Sequence, residues 1–335
     1  MKTLALKRQG NTHTLAALLV LLTIFGIIEP SVKRAFAAPL LTGRIVYHSY
    51  VSYNDGTSQM FILNLGTGAL TNISSNWTNV IDPMNGKFSP DGTKIVFMGR
   101  PKKGGSWCAW FDIFLYVVGQ TGNPINLTNT ASLHDEDPSF SPDGTKIVYK
   151  VRPSTLKEMN LLGTVLNTII STSGQERSMP YYNATGTAVW YSQQPTSGTR
   201  DQASIRKINV NGMSDTLVVD VPGVHDYYPV RDTVGEFLYA RWLSSTDFHD
   251  QIYMYNAGSS TSLPFNTSTN DYSDPFPIGI QYLSLSSTGQ PNGHGANYDL
   301  FIADRSTGTL WSLSDYNAGV NTTKEELGSN YTLVP

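Results

Sequence analysis

The chain has 335 residues, 40% of them apolar and 15% charged, with a single cysteine and a formal net charge of −3. One cysteine, Cys108, excludes an intrachain disulfide. The acidic balance argues against nucleic acid or an anionic lipid surface as partner. Abundant Tyr, Thr, Ser, Asn and Gly, with no long amphipathic helical pattern, point to one large all-β domain.

Residues 1–37 read as an export leader. Lys2, Lys7 and Arg8 give a positive start, Leu15–Ile28 is an apolar run of signal-peptide length, and Ala35-Phe36-Ala37 is a small-x-small cleavage site. The cut is expected before Ala38. The alternative is an uncleaved N-terminal membrane anchor, with Lys33-Arg34 behind the apolar run. Either way the folded part, residues 38–335, is expected outside the cytoplasm, secreted or periplasmic, with no membrane span once the leader is gone. The leader carries five basic residues (Lys2, Lys7, Arg8, Lys33, Arg34) and one acid (Glu29), so its removal takes the net charge from −3 to −7.

Beyond the leader the chain repeats itself. FSPDGTKIVF at Phe88–Phe97 recurs as FSPDGTKIVY at Phe140–Tyr149, and weaker copies follow. In SPDG the proline suits the second turn position and the glycine the left-handed one, so each copy reads as a tight turn between two strands. Gly92, Gly144, Gly186 and Gly235 align at the turn, with Gly279 in a shortened copy. Spacings of 42 to 52 residues match one propeller blade each. Pro138, Pro180 and Pro229 stand six residues before their glycines and fix the same register.

After each turn comes a strand b (Ile95–Phe97, Ile147–Tyr149, Val189–Tyr191, Phe237–Ala240, Tyr282–Leu285). A variable loop and a strand c follow (Asp112–Tyr116, Ser154–Met159, Ser204–Ile208, Gln251–Tyr255, Tyr298–Ala303), then a short strand d. The first blade begins at strand b, Gly43–Tyr50, and lacks an inner strand. The last segment, Ser329–Val334, is a lone strand and is expected to supply it. The predicted fold is therefore an all-β, six-bladed β-propeller closed by its C-terminal strand, a monomer without free sheet edges.

The residues KFSPDGTKIVF and DEDPSFSPDGTKIVY, with the ending Asn126-Leu127-Thr128, resemble the PD40 (WD40-like) repeats of TolB-like β-propellers. The resemblance spans essentially the whole mature chain and leaves no room for the N-terminal α/β domain of TolB itself. It implies a propeller and no particular activity. Related propellers precede the hydrolase domain of prolyl-oligopeptidase-like peptidases, but no Gly-x-Ser-x-Gly elbow occurs here. Some polysaccharide lyases are related propellers with a metal and histidines at the channel mouth.

Propeller geometry puts the b–c loops and d–a connections on one face and the SPDG turns on the other. All five mature histidines fall on the first face. Ten residues before the turn glycine stand Asp82, His134, Glu176 and His225. Asp271 holds the equivalent place before Pro275, and Glu325 or Glu326 before the closing strand. Carboxylates and imidazoles converging on an axis suit a divalent cation in the central channel or acid–base work. His134, His225, Asp82 and Asp271 are the candidate metal ligands, and His134 and His225 the candidate catalytic groups. The acids behind them, Asp135 and Asp226, extend this ring, and His134 to Asp137 are the residues of most interest. An Asp before a strand also caps its own loop. Arg100 and Arg152, at equivalent places, could hold a carboxylate ligand or pair with these acids. Trp107 and Trp110, in the long loop Pro101–Asp112, suit stacking on a sugar or a protein interface, or packing over the blade. The expected function is a non-catalytic propeller binding a protein or glycan ligand on the histidine face. The alternative is a metal-assisted enzyme of the polysaccharide lyase type. Phe88, Phe140, Tyr182 and Trp190 read as blade-packing residues.

Overall fold

A computed structural model describes residues 37–197, 202–244 and 246–334. Apart from Ala37, the leader lies outside the described residues. Ala38–Pro335 form one compact unit. Among the described residues no helix is long and apolar enough to cross a membrane.

The repeated turns form as their chemistry dictates. The Gly92 N–H donates to the Ser89 carbonyl at 2.8 Å, and the Asp91 carboxylate accepts from the Ser89 hydroxyl and the Thr93 N–H. Ser141–Gly144 builds the same turn, with Asp143 in the role of Asp91. Gly92 and Gly144 have φ of +66° and +71°, where a side chain is strained. Gly235 departs from this pattern, since its φ is not in the left-handed region. Glycine is needed there for close approach, because a Cβ would sit 2.8 Å from Met254 Cγ and the Tyr255 carbonyl.

Six antiparallel sheets follow around the ring. Blade 1 holds β1 (Arg44–Tyr50), β2 (Gln59–Asn64) and β3 (Leu70–Asn72). Blade 2 holds β4 (Val80–Phe88), β5 (Lys94–Lys103), the short β6 (Ser106–Trp107) paired to β5, β7 (Asp112–Val117) and β8 (Ile125–Asn126). Blade 3 holds β9 (Asp135–Phe140), β10 (Lys146–Val151), β11 (Thr155–Asn160) and β12 (Val165–Ser171). Blade 4 holds β13 (Gln175–Tyr182), β14 (Ala188–Pro195), β15 (Ser204–Asn209) and β16 (Thr216–Val219). Blade 5 holds β17 (Asp226–Arg231), β18 (Phe237–Ser244), β19 (Asp247–Asn256) and β20 (Ser259–Ser262). Blade 6 holds β21 (Tyr272–Ile278), β22 (Tyr282–Ser287), β23 (Asp299–Asp304) and β24 (Leu310–Ser312).

The last strand, β25 (Glu325–Thr332), pairs antiparallel with β1 and completes blade 1. It begins at Glu325, ahead of the expected Ser329. Arg44 secures the closure by donating to the Val334 and Gly92 carbonyls. The core lies between blades. Met84, Val96, Met98 and Ile113 of blade 2 pack with Ile147, Tyr149 and Met159 of blade 3. Such fully buried side chains contribute roughly 1.5–3 kcal/mol each. Phe88, Phe140, Tyr182 and Trp190 are all buried, as a packing role requires.

One feature of the inner strands positions the site. Each carries a β-bulge, and the bulged residue is left-handed: Asn85, Asp137, Met179, Tyr228, Asp274 and, in β25, Gly328. Asn and Asp tolerate this conformation, but Met179 and Tyr228 are strained in it. Side chains of neighbouring blades hold the bulges. The Met179 N–H donates to Asp137 (3.1 Å), the Gly328 N–H to Asp274 (2.9 Å) and the Tyr228 N–H to the Ser192 hydroxyl (3.2 Å). A bulge re-aims the following side chains, and here it does so around the channel.

Candidate functional site at the channel mouth

On the b–c loop face the channel opens into a cavity of about 470 Å³. The ends of the second strands of five blades reach it, bringing Tyr50, Arg152, Gln194 and Trp242, with Met98 deeper. The inner strands bring Glu136, Asp137, Glu176, Tyr227 and Asp274, and His225 precedes β17.

The charges at the mouth hold one another. The Lys150 ammonium is almost fully buried, 3.1 Å from Glu176 and 3.5 Å from Glu136. Arg152, half exposed, lies 3.4 Å from Glu136, and the Gln194 amide donates to Glu176 at 3.0 Å. Burial and then the neighbouring Asp137 raise the Glu136 carboxyl above its ordinary value, against the pull of Lys150 and Arg152. Burial also raises Glu176, but Lys150 and the bonds from Gln194 and Lys150 outweigh it and leave that carboxyl low.

The other side of the mouth is aromatic. His225 stacks on Trp242 with ring centroids 4.4 Å apart and tilts against Tyr227 at 5.0 Å. Phe248 meets the edge of Trp242 from the exposed hairpin of blade 5. Tyr50 and Tyr53 form the opposite lip, edge to face at 6.3 Å, and Tyr50 stacks on His48. Burial pushes His48 down to about 3, so its imidazole is neutral and accepts from the Asn85 N–H.

A waist closes the mouth below. Lys87 projects between the rings of Tyr181 and Tyr228, 5.5 and 5.1 Å from their centroids, with its ammonium 3.4 Å from the Tyr228 hydroxyl. Such contacts contribute on the order of 1–2 kcal/mol when desolvated. Asp137 and Asp274 face Lys87 electrostatically, opposing the loss of its proton that burial favours.

Of the residues singled out in the sequence, His48, Glu136, Asp137, Arg152, Glu176 and His225 line the mouth together. The others have separate places. Asp82 is fully buried, 2.6 Å from Arg100, and accepts from the Gly56 and Ser58 N–H groups. Asp226 is likewise buried against Arg241 at 2.5 Å. Asp135 accepts from the Thr130 hydroxyl, and Asp271 caps the Asp250 N–H. His134 lies 3.4 Å from Glu136 and tilts against Phe111, outside the cavity lining. Trp107 is exposed beneath the Lys102 ammonium, and Trp110 is half-buried by Lys103. Among the described residues, no three His, Cys, Asp or Glu side chains converge closely enough to hold a metal ion.

Lys150, Tyr50, Tyr53, Trp242 and Asp274 join the site without having been singled out. Lys150 had a signal in the sequence: it is a charge inside the otherwise apolar strand IVYKV. Asp274 had one as well, because it precedes the aligned Pro275.

No protein-family model and no curated protein matches this sequence. Solved structures match its fold. TolB from Acinetobacter baumannii superposes with a TM-score of 0.64 at 15% identity, over 88% of this chain and 68% of that one. Kuenenia stuttgartiensis hydrazine synthase gives 0.65 at 12% identity, over 88% of this chain and 47% of that one. A chain of a nidogen/laminin complex gives 0.56 at 10% identity, over 87% and 99%. At these identities the likeness is one of fold. The fold of this chain is that of a TolB-like, six-bladed β-propeller.

Proposed function

We propose that this chain is an exported, non-catalytic binding propeller that takes a protein or glycan ligand at the channel mouth, after cleavage of residues 1–37. The observation that carries this reading is the division of the mouth into an aromatic half and a charged half. Tyr50, Tyr53, Tyr227 and Trp242 offer stacking faces, while Lys150, Arg152, Glu136 and Glu176 form a fixed ion-pair lattice. Aromatic anchors beside a few placed polar groups are the chemistry of a recognition site. The same lattice disfavours proton transfer, since each acid is already held by a cation. Glu176, His225 and Arg152 are the sequence-derived residues we assign to ligand contact.

The test is direct. Exported protein is screened against synthetic glycan and peptide arrays, and the best hit is titrated calorimetrically. Trp242→Ala and Tyr53→Ala should each weaken it by roughly 10- to 30-fold, as expected of an anchor residue. A hit indifferent to both substitutions would remove the mouth from binding. Metal-dependent release of unsaturated uronate product, lost in His134→Ala and His225→Ala, would establish the enzyme reading in its place.

A further inference from the structure

The channel has a second opening, on the face of the SPDG turns. It is a cavity of about 280 Å³ that shares no lining residue with the mouth. The waist at Lys87, Tyr181 and Tyr228 separates the two. Aromatic and proline side chains form part of its walls: Phe88, Phe140, Phe276, Tyr181, Pro90 and Pro277.

The polar groups in these walls are unusual for an acidic protein. Among the described residues no carboxylate lines the cavity, and the two charged residues that do are Lys87 and Arg231. The half-buried Arg231 has no carboxylate within ion-pair distance among the described residues. The adjacent Asp232 is taken up by Arg305, in part through a bond of 2.7 Å. The turn acids Asp91 and Asp143 are engaged within their own turns. The Ser139 hydroxyl is buried beside the Tyr181 phenol without a hydrogen-bond partner of normal geometry. Asn330 is buried too. Its side-chain oxygen accepts from the Phe88 N–H, which leaves its amide NH₂ as a donor.

An uncommitted guanidinium, a hydroxyl and an amide thus share an aromatic-walled cavity with no counter-charge among its described lining residues, beside a Lys87 ammonium that Asp137 and Asp274 face from the waist. We propose that this turn-face cavity binds a small organic carboxylate. Arg231 holds the carboxylate through its fork of N–H donors, Ser139 and Asn330 complete the hydrogen bonds, and Phe140, Phe276 and Tyr181 cover the apolar body. The volume lies just below the range of drug-sized pockets, which limits the ligand to about one ring. The site is independent of the mouth, so either assignment stands if the other fails.

Benzoate serves as the probe and benzyl alcohol as its neutral counterpart, titrated calorimetrically into the purified protein. Benzoate should bind saturably, with benzyl alcohol at least about 10-fold weaker, the equivalent of roughly 1.4 kcal/mol. Arg231→Met should lose about 10-fold or more, and the exposed Lys324→Met none. Arg231→Lys keeps the charge without the fork, so it should fall between wild type and Arg231→Met, and it serves should the latter not fold. The proposal is overturned by benzoate binding unchanged in either Arg231 variant, by benzyl alcohol matching benzoate, or by no saturable binding in the millimolar range. Inorganic phosphate displacing benzoate at equal concentration would also overturn it, because the aromatic walls would then play no part.

Discussion

Asp250 should make the stability of the fold depend on pH. Its carboxyl is buried behind the mouth, where it accepts from the Tyr227 hydroxyl, and its second oxygen has no partner among the described residues. Burial, and then the like charges of Asp271 and Asp274, push it up to about 8 against the bond from Tyr227. Tyr298 stands beside it as well. An acid whose folded value lies above its unfolded value of 3.8 binds its proton more tightly in the native state. Its effect is therefore to make stability fall as pH rises between those two values, by up to about 1.4 kcal/mol per pH unit. Over the whole window the limiting effect is about 6 kcal/mol, reduced in practice by relaxation and water entry.

Asp250→Asn keeps the shape and removes the titration. Urea denaturation at pH 4 to 9 should show the variant gaining on the wild type steadily as pH rises, with little difference at pH 4. Subtracting the two curves removes His48, which acts in the opposite sense. With its value lowered to about 3, His48 adds stability that is present above the unfolded value near 6.5 and lost as pH falls. Asp274 is raised by burial too, and it contributes to both curves. Parallel curves for wild type and Asp250→Asn would refute the reasoning.

Three further outcomes are expected. Arg100→Met should destabilise the fold by roughly 3 kcal/mol in urea titrations, because it leaves the fully buried Asp82 without its cation. Wild-type stability in that variant would show that the two backbone N–H bonds suffice. Gly99→Ala should cost about 1–3 kcal/mol by overpacking, since the new Cβ would fall 2.4 Å from Val80 Cγ2, and thermal melts would report it. Elemental analysis of the purified protein should find no stoichiometric transition metal. An equivalent that disappears in His134→Ala or His225→Ala would revive the metal centre.

How much of the site could be read from the sequence depended on the range of the interaction. The ten-before-glycine register drew attention to Asp82, His134, Glu176 and His225, of which Glu176 and His225 line the mouth. Asp82 and Asp226 are buried against Arg100 and Arg241, pairings in which each arginine sits across the hairpin from its acid. The ring that surrounds the channel is instead the bulge residue seven before the glycine: Asn85, Asp137, Met179 and Tyr228. A strict two-residue alternation cannot find it, because each bulge inserts a residue and resets the parity of the strand.

What the sequence determined by itself was the architecture. The SPDG turn closes through bonds among Ser, Asp, Thr and Gly within a few residues, so its repetition marks out the blades, while the unpaired first and last segments point to the closing strand. What only the tertiary structure decided was the chemistry of the channel. Lys150 joins acids from two blades, Lys87 sits between tyrosines of two others, and Arg231 is left without a counter-charge among the described residues because Arg305 takes its neighbour. The Lys150 lattice needs two neighbouring blades to dock, and the other two depend on groups 73 or more residues apart that meet only in the folded ring.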